Sequence, residues 1–346
     1  MGKRAFIVLA LVLVLLIGGA VGVSAYDHGR SDLISKGVTV AGIDVGGMRR
    51  DAATTLLQKR LAAPLNRPIV VRAGRHRFRL TAHRAQVTTD VGGMVAQAVA
   101  ASRRGNIIQR AWRGLTGGQV HKTIPLSMSY SPRAVRSLVR RIRRSVNRPP
   151  KDASISPTAG GLHKVASQTG VALQQGYLQR RVQTALKTPG ARRLIVARTK
   201  IVTPAVTTGE LADRYPWYII INRPSFTLTV FDHLRAKKTY PVAVGQVGLE
   251  TPAGLYHVQD KAINPAWHVP NSAWAGDLAG QTIPAGDPTN PIKARWLGVF
   301  NGAGIHGTDE TYSIGHAASH GCIRMRIPDV IEVYNEVPVG APVFIV

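Results

Sequence analysis

Residues Ala5 to Val23 form an unbroken, uncharged apolar run, preceded by Lys3-Arg4 and followed by Ser24-Ala25-Tyr26-Asp27. In hydrocarbon a peptide group cannot trade its hydrogen bond for water, so a segment of this kind is held to a helix. At about 1.5 Å of rise per residue, the run nearly spans a hydrocarbon core of roughly 30 Å. Lys3 and Arg4 mark the cytoplasmic side, which places the remainder of the chain outside. Val23-Ser24-Ala25 has the small-residue character of a signal-peptidase site, so cleavage and secretion form the alternative. The run is longer than the roughly 7–15 residues of a signal-peptide core, which favours a retained anchor. The expected address is the cell membrane: a tail at 1–4, one transmembrane helix over 5–25, and a C-terminal body on the cell-wall face.

That address narrows the meaning of the charge. Residues 1–206 hold 35 Lys+Arg against 6 Asp+Glu, while 207–346 hold 10 against 12. A basic excess can serve nucleic acid, anionic lipid or an anionic polymer. Outside the membrane, lipid headgroups or anionic wall polymers are the expected partners and nucleic acid is not. A merely well-solvated Arg-rich surface explains the same excess equally well. Cys322 is the single cysteine of 346 residues. It has no partner for an intramolecular disulfide, so its presence in an exported chain points to chemistry.

The order of elements suggests two folded regions. After a polar tether at 27–36, Val38 to Val45 alternates as a strand and stops at Gly46-Gly47. Ala53, Leu57 and Leu61 share one helical face, Gly74 separates two strand-like runs, and Val91 to Ala101 returns to helix. Ser131-Pro132 opens a further helix carrying Val135, Leu138, Val139, Ile142 and Val146 at helical spacing. Its other faces hold Arg133, Arg136, Arg140, Arg141, Arg143 and Arg144, either a polyanion-binding surface or a solvated one. Strand-like pieces after Asn147-Arg148-Pro149-Pro150, a helix near Leu178–Leu186 and a strand at Leu194–Ala197 complete an α+β region over 37–206. A linker is expected at 207–214. From 215 the pattern is mainly β, with short strands at Tyr218–Asn222, Thr227–Phe231 and Tyr240–Val244. Residues 261–300 give few strand or helix signals, and a segment of that length inside a domain is usually a lid or a substrate wall. A short helix at Asp329–Tyr334 and a strand at Pro342–Val346 close the chain.

Reactive side chains concentrate near the end, in Ile305-His306-Gly307-Thr308 and Ser319-His320-Gly321-Cys322-Ile323-Arg324-Met325. A cysteine is a nucleophile as its thiolate and needs a base or a positive field beside it. His306 can approach the sulfur from a separate strand end, and the Gly307 carbonyl can fix its tautomer as an acid does in a triad. His320 stands two positions before the sulfur, inside a tight turn where backbone geometry is its more natural contribution. Gly321 and Cys322 can present N–H groups to an oxyanion. Two other readings remain: a structural cysteine, and a metal site drawn from His306, His316, His320 and Cys322. Zinc sites show tighter ligand spacing than this. Cysteine acyl transfer accounts for more of the pattern, and it calls for no metal or organic cofactor.

These motifs, with Ile314-Gly315 between them, resemble the signature of the L,D-transpeptidases, whose catalytic domain is the YkuD type. Val244-Gly245, Thr251-Pro252-Ala253-Gly254, Asn290-Pro291 and Val337-Pro338-Val339-Gly340 extend the resemblance over about 215–346. Gly37 to Met48 with Arg50-Asp51-Ala52 is similar to the start of the peptidoglycan-binding module of VanW-type proteins, over about 37–206. The resemblance implies a β-sandwich-like catalytic domain that remodels peptidoglycan stem peptides. It implies Cys322 as nucleophile, His306 as base and then acid, and Gly307 as the residue that orients it. His320, Gly321 and Cys322 would line the oxyanion site, with Ser319 supporting the turn. Arg324 and Thr308 would meet substrate, although a structural salt bridge serves equally well for Arg324. The product would be a 3→3 cross-link formed through a thioester with loss of D-alanine. Transfer to water or to a protein amine, and a non-catalytic wall-binding protein, are the alternatives. A sortase, also an anchored Cys/His/Arg enzyme, spaces these residues differently.

Overall fold

The structure, a computed structural model, describes residues 2–346. The chain forms two compact units, one of Met1–Arg148 with Val171–Ile201, the other of Pro149–Gly170 with Val202–Val346. The sequence boundary at 206 therefore cuts across the folding: residues 149–170, read as part of the first region, belong with the second.

The first unit is α+β with two small cores. Strands Ile43–Asp44, Val38–Val40 and Lys122–Ile124 form a sheet in that order. Ala53, Leu57 and Leu61, on a helical stretch with a π turn at Gln58–Ala62, pack with Met94, Val95 and Ala98 of the helix Val91–Ser102 to close its core. Asp90 caps that helix by accepting the Gly93 N–H at 2.8 Å, which satisfies one of the donors a helix start leaves open. The second core lies on the sheet Leu194–Val196, Ile69–Ala73, His76–Leu80. Val135, Leu138, Val139 and Ile142 of the helix Pro132–Val146 are buried there, as their spacing predicts, with Leu178 and Val182 of the helix Gln175–Lys187.

Two elements of this unit depart from the sequence reading. The N-terminal helix runs from Lys3 to His28, two residues into the expected tether at 27–36. Its end is held: Asp27 accepts from Arg110 at 2.8 Å and pairs with Arg103 at 3.2 Å. The helix Ile107–Thr116, not expected, is fixed by a reciprocal cap in which Asn106 Oδ1 accepts the Gln109 N–H and Gln109 Oε1 accepts the Asn106 N–H.

The second unit has two sheets on one core. The first orders Arg235–Pro241, Thr227–Asp232, Trp217–Asn222, Pro342–Ile345 and Gly254–His257, antiparallel except where Trp217–Asn222 meets the closing strand. The second orders Asp260–Ile263, Lys293–Phe300, Ala303–Thr308 and Ile323–Arg326, its last pair parallel. Ile219, Ile221, Leu228 and Val230 from one sheet and Leu297, Val299, Ile305, Ile323 and Met325 from the other share a core with Val330 and Val333 of the helix Ile327–Glu336. The run Tyr218-Ile219-Ile220-Ile221 is buried throughout, which means both faces of its strand are covered. Tyr218 and Ile220 face away from the shared core, where Ile155 and Leu162 of the hairpin Ser154–Thr158/Gly161–Val165 pack on them. That contact draws 149–170 into this unit.

Candidate functional site

The parallel pairing of Ala303–Thr308 with Ile323–Arg326 sets Ile305 opposite Ile323 and His306 opposite Arg324. Cys322, one position before the second strand, is thereby brought beside the first, its thiol near the Gly304 backbone N–H. On its other side Gly304 has no room for a side chain, since a Cβ there would lie 2.3 Å from the carbonyl oxygen of Leu297 on the neighbouring strand. His306, 3% exposed, directs Nδ1 to the Gly307 carbonyl at 2.9 Å. A carbonyl only accepts, so Nδ1 carries the proton and Nε2 is left as the basic nitrogen. Gly307 itself has no room for a side chain, since a Cβ would meet the Lys293 oxygen at 2.4 Å.

The turn before the sulfur is held from several sides. Ser319, 1% exposed, donates to the Cys322 carbonyl at 2.5 Å and accepts the Gly321 N–H at 3.2 Å. Thr251, equally buried, donates to the Gly321 carbonyl at 2.9 Å and accepts the Gly245 N–H at 2.9 Å. Gly321 has φ +107°, a conformation that L side chains avoid. Its N–H is already bonded to Ser319.

His306, Ser319, His320, Gly321, Cys322 and Arg324 line one cavity of about 710 Å³. Its far wall comes from 264–292, where Trp267–His268 pairs with Thr282–Ile283. The Trp274 ring stacks on His320 at 4.2 Å and 10°, so His320 is a wall residue as well as a turn residue. Asn290 clamps this wall, donating to the carbonyls of Pro265 and Pro284 at 3.0 and 3.1 Å and accepting the Ile292 N–H at 2.8 Å. The expected irregular region of 261–300 is thus shorter, because Asp260–Ile263 and Lys293–Phe300 are strands of the second sheet. The polar residues of those strands masked their signal.

Arg324 donates to Glu310 at 2.6 Å, and both line the cavity. Thr308 departs from its expected role: it is buried outside the cavity lining, and its hydroxyl accepts the Glu310 N–H at 3.1 Å. Sequence reasoning gave no role to Glu310, Thr251, Trp274 or Gly304. Thr251 stood in a quoted motif and Trp274 in a Trp-rich stretch, but their partners lie far along the chain.

Burial dominates the electrostatics. It pushes the His306 imidazole down to about 4, with Arg324 adding to the effect and the Gly307 carbonyl and Glu310 opposing it. Burial also pushes the Cys322 thiol above its ordinary value, against the pull of the Gly304 N–H and Arg324. The resting pair is a protonated thiol and a neutral imidazole.

Residues 216–345 match the family described as "L,D-transpeptidase catalytic domain", and 78–194 match "Putative peptidoglycan binding domain". "Putative L,D-transpeptidase YqjB" of Bacillus subtilis is 35% identical over 152 residues, spanning 42% of this chain and 80% of that protein. "Putative L,D-transpeptidase YkuD" of the same organism is 34% identical over 160 residues, 45% of this chain and 80% of that one. "Probable L,D-transpeptidase YbiS" of Escherichia coli is 36% identical over 110 residues, 30% of this chain and 35% of that protein.

Proposed function

The chain belongs to the L,D-transpeptidase family, and on that footing we propose that it cross-links peptidoglycan stems by cysteine acyl transfer on the outer face of the membrane. Cys322 Sγ attacks the carbonyl carbon of the third stem residue while its proton passes to His306 Nε2. The carbonyl oxygen becomes an oxyanion facing the Cys322 N–H and the His320 backbone. Collapse expels the amine of the terminal D-alanine, which takes the proton back from His306 and leaves a thioester. A side-chain amine of a neighbouring stem then attacks the thioester, His306 accepts its proton, and the thiol is restored with a 3→3 link formed.

The observation that carries this reading is the pairing of His306 with the Cys322 strand. It sets a thiol and an imidazole of fixed tautomer in one cavity. Gly307 orients the base, Ser319 and Gly321 hold the turn, and His320 with Trp274 walls the stem. Arg324 is placed to meet a substrate carboxylate once its ion pair with Glu310 is exchanged. The match at 78–194 supports peptidoglycan contact by the first region. The apolar helix supports a single-pass anchor, with the catalytic body at 215–346 on the wall side.

Intact-protein mass spectrometry of residues 27–346 with a tetrapeptide muropeptide tests the reading. An adduct lacking D-alanine, followed by dimeric muropeptide and absent from Cys322→Ala, is the expected result. A tripeptide product without dimer would replace transfer by hydrolysis. No adduct would sink the nucleophile assignment.

A further inference from the structure

We infer that the helix Ile107–Thr116 lies in the membrane interface beside the anchor, its apolar side sunk among lipid headgroups and the first part of the acyl chains. Ile108, Trp112 and Leu115 recur at helical spacing on one side of this helix and are 70%, 70% and 71% exposed. Three large apolar side chains left together in water on one short helix call for a covering surface. Ala111 is buried, and Gly114 faces Tyr26 and Arg30 at the end of the N-terminal helix.

The position of that helix selects the bilayer as the cover. The N-terminal helix is apolar and lipid-length from Val8 to His28, with large side chains bare along it, Leu15 at 75%. Its last turn is joined to the Ile107–Thr116 helix. Asp27 is gripped by Arg110 and Arg103, Arg30 donates to Tyr26 and reaches the Gly114 carbonyl, and a Cβ at Gly114 would come within 2.6 Å of Arg30 Nη1. If hydrocarbon ends near Val23, Asp27 is only about 6 Å farther along the axis. An interfacial helix buries its apolar side about 5–10 Å into the headgroup boundary, the depth at which this one is fastened. The charges agree, because Arg104 and Arg113 flank Trp112. Tyr26, Arg30, Lys36 and Arg113 line a cavity of about 310 Å³ at the junction, whose only carboxylate, Asp27, is already paired. Such a rim fits anionic headgroup phosphates. The anchor and this helix then hold the first unit to the bilayer at two points, which restricts its rotation.

The inference rests on the retained-anchor reading above, and the test separates the two. Single cysteines replace Leu15, Ile108, Leu115 or Gln109 in the full chain with Cys322→Ala; all four are exposed, so no core is disturbed, and at 109 the bond from the backbone N–H to Asn106 Oδ1 still caps the helix. Each is labelled with an environment-sensitive fluorophore and reconstituted into phosphatidylcholine–phosphatidylglycerol vesicles, with and without brominated acyl chains. Blue-shifted emission quenched by the brominated lipid is expected at Leu15, Ile108 and Leu115, with water-like emission at Gln109. Water-like emission at Ile108 and Leu115 with Leu15 in lipid would overturn the inference and leave the anchor standing. Water-like emission at Leu15 as well would overturn both. A shift at Ile108 and Leu115 produced by soluble glycan fragments, and absent with vesicles alone, would reassign the apolar side to the wall.

Discussion

His306 is neutral near pH 7, with its one ring proton on Nδ1 and Nε2 left as the nitrogen that can accept another. An imidazole held at about 4 by burial is a weak base and the thiol, raised by the same burial, a weak acid, so at rest the proton stays on sulfur. Iodoacetamide alkylation of Cys322 should therefore be slow at neutral pH and keep rising, about tenfold per pH unit, beyond the ordinary thiol value of about 8.5. A plateau below that value would mean a preformed thiolate. Stability carries the matching sign. The unfolded chain protonates His306 near pH ~6.5 and the folded chain only near 4, so stability present above the first value is lost as pH falls to the second. The difference is on the order of 3 kcal/mol. Urea denaturation of wild type and His306→Gln, followed by tryptophan fluorescence, should show that extra acid loss only in wild type. Parallel acid slopes would remove the burial argument.

At the scale of elements, the sequence disclosed what local spacing encodes and missed what distant partners impose. The helix Pro132–Val146 was legible because Ser131, Pro132 and the apolar period all agree. That His306 and Cys322 would lie at one site was legible because their motif is compact, and both line the same cavity. The hairpin Ser154–Thr158/Gly161–Val165 was assigned to the wrong neighbour, since nothing within it states which surface it covers. The clue lay elsewhere, in Tyr218-Ile219-Ile220-Ile221, whose lack of alternation demands a cover on both faces. The helix Ile107–Thr116 was signalled by Asn106 and Gln109, a cap hidden behind Gly105. The boundary has a measurable consequence. Residues 215–346 alone would leave Tyr218, Ile220 and Phe231 without Ile155 and Leu162, and each large side chain so uncovered forfeits up to about 2 kcal/mol. That piece should bind a hydrophobic dye and melt well below residues 27–346. Equal melting would show that the hairpin contributes nothing.

For the whole molecule, the division of charge and the division of chemistry fall on the same halves of the sequence. The near-neutral half carries the cavity, while the basic half offers Arg79, Arg84, Arg133, Arg141 and Arg144 around one surface depression. Among the described residues, none of these five takes part in an ion pair, so their field meets solvent directly. Unneutralised guanidinium groups attract a polyanion mainly through release of its counterions, and that attraction fades with salt. Residues 27–346 should therefore be retained on wall material that keeps its anionic polymers, and lose most of that retention as ionic strength rises from ~0.1 M to ~1 M, where the screening length shrinks to about 3 Å. Arg133→Glu with Arg144→Glu should weaken retention at low salt while turnover of a soluble muropeptide is unchanged, because both exposed side chains lie in the other unit from Cys322. Retention indifferent to salt would assign wall contact to neutral glycan recognition. No difference between stripped and intact wall would leave the basic half as a solvated spacer.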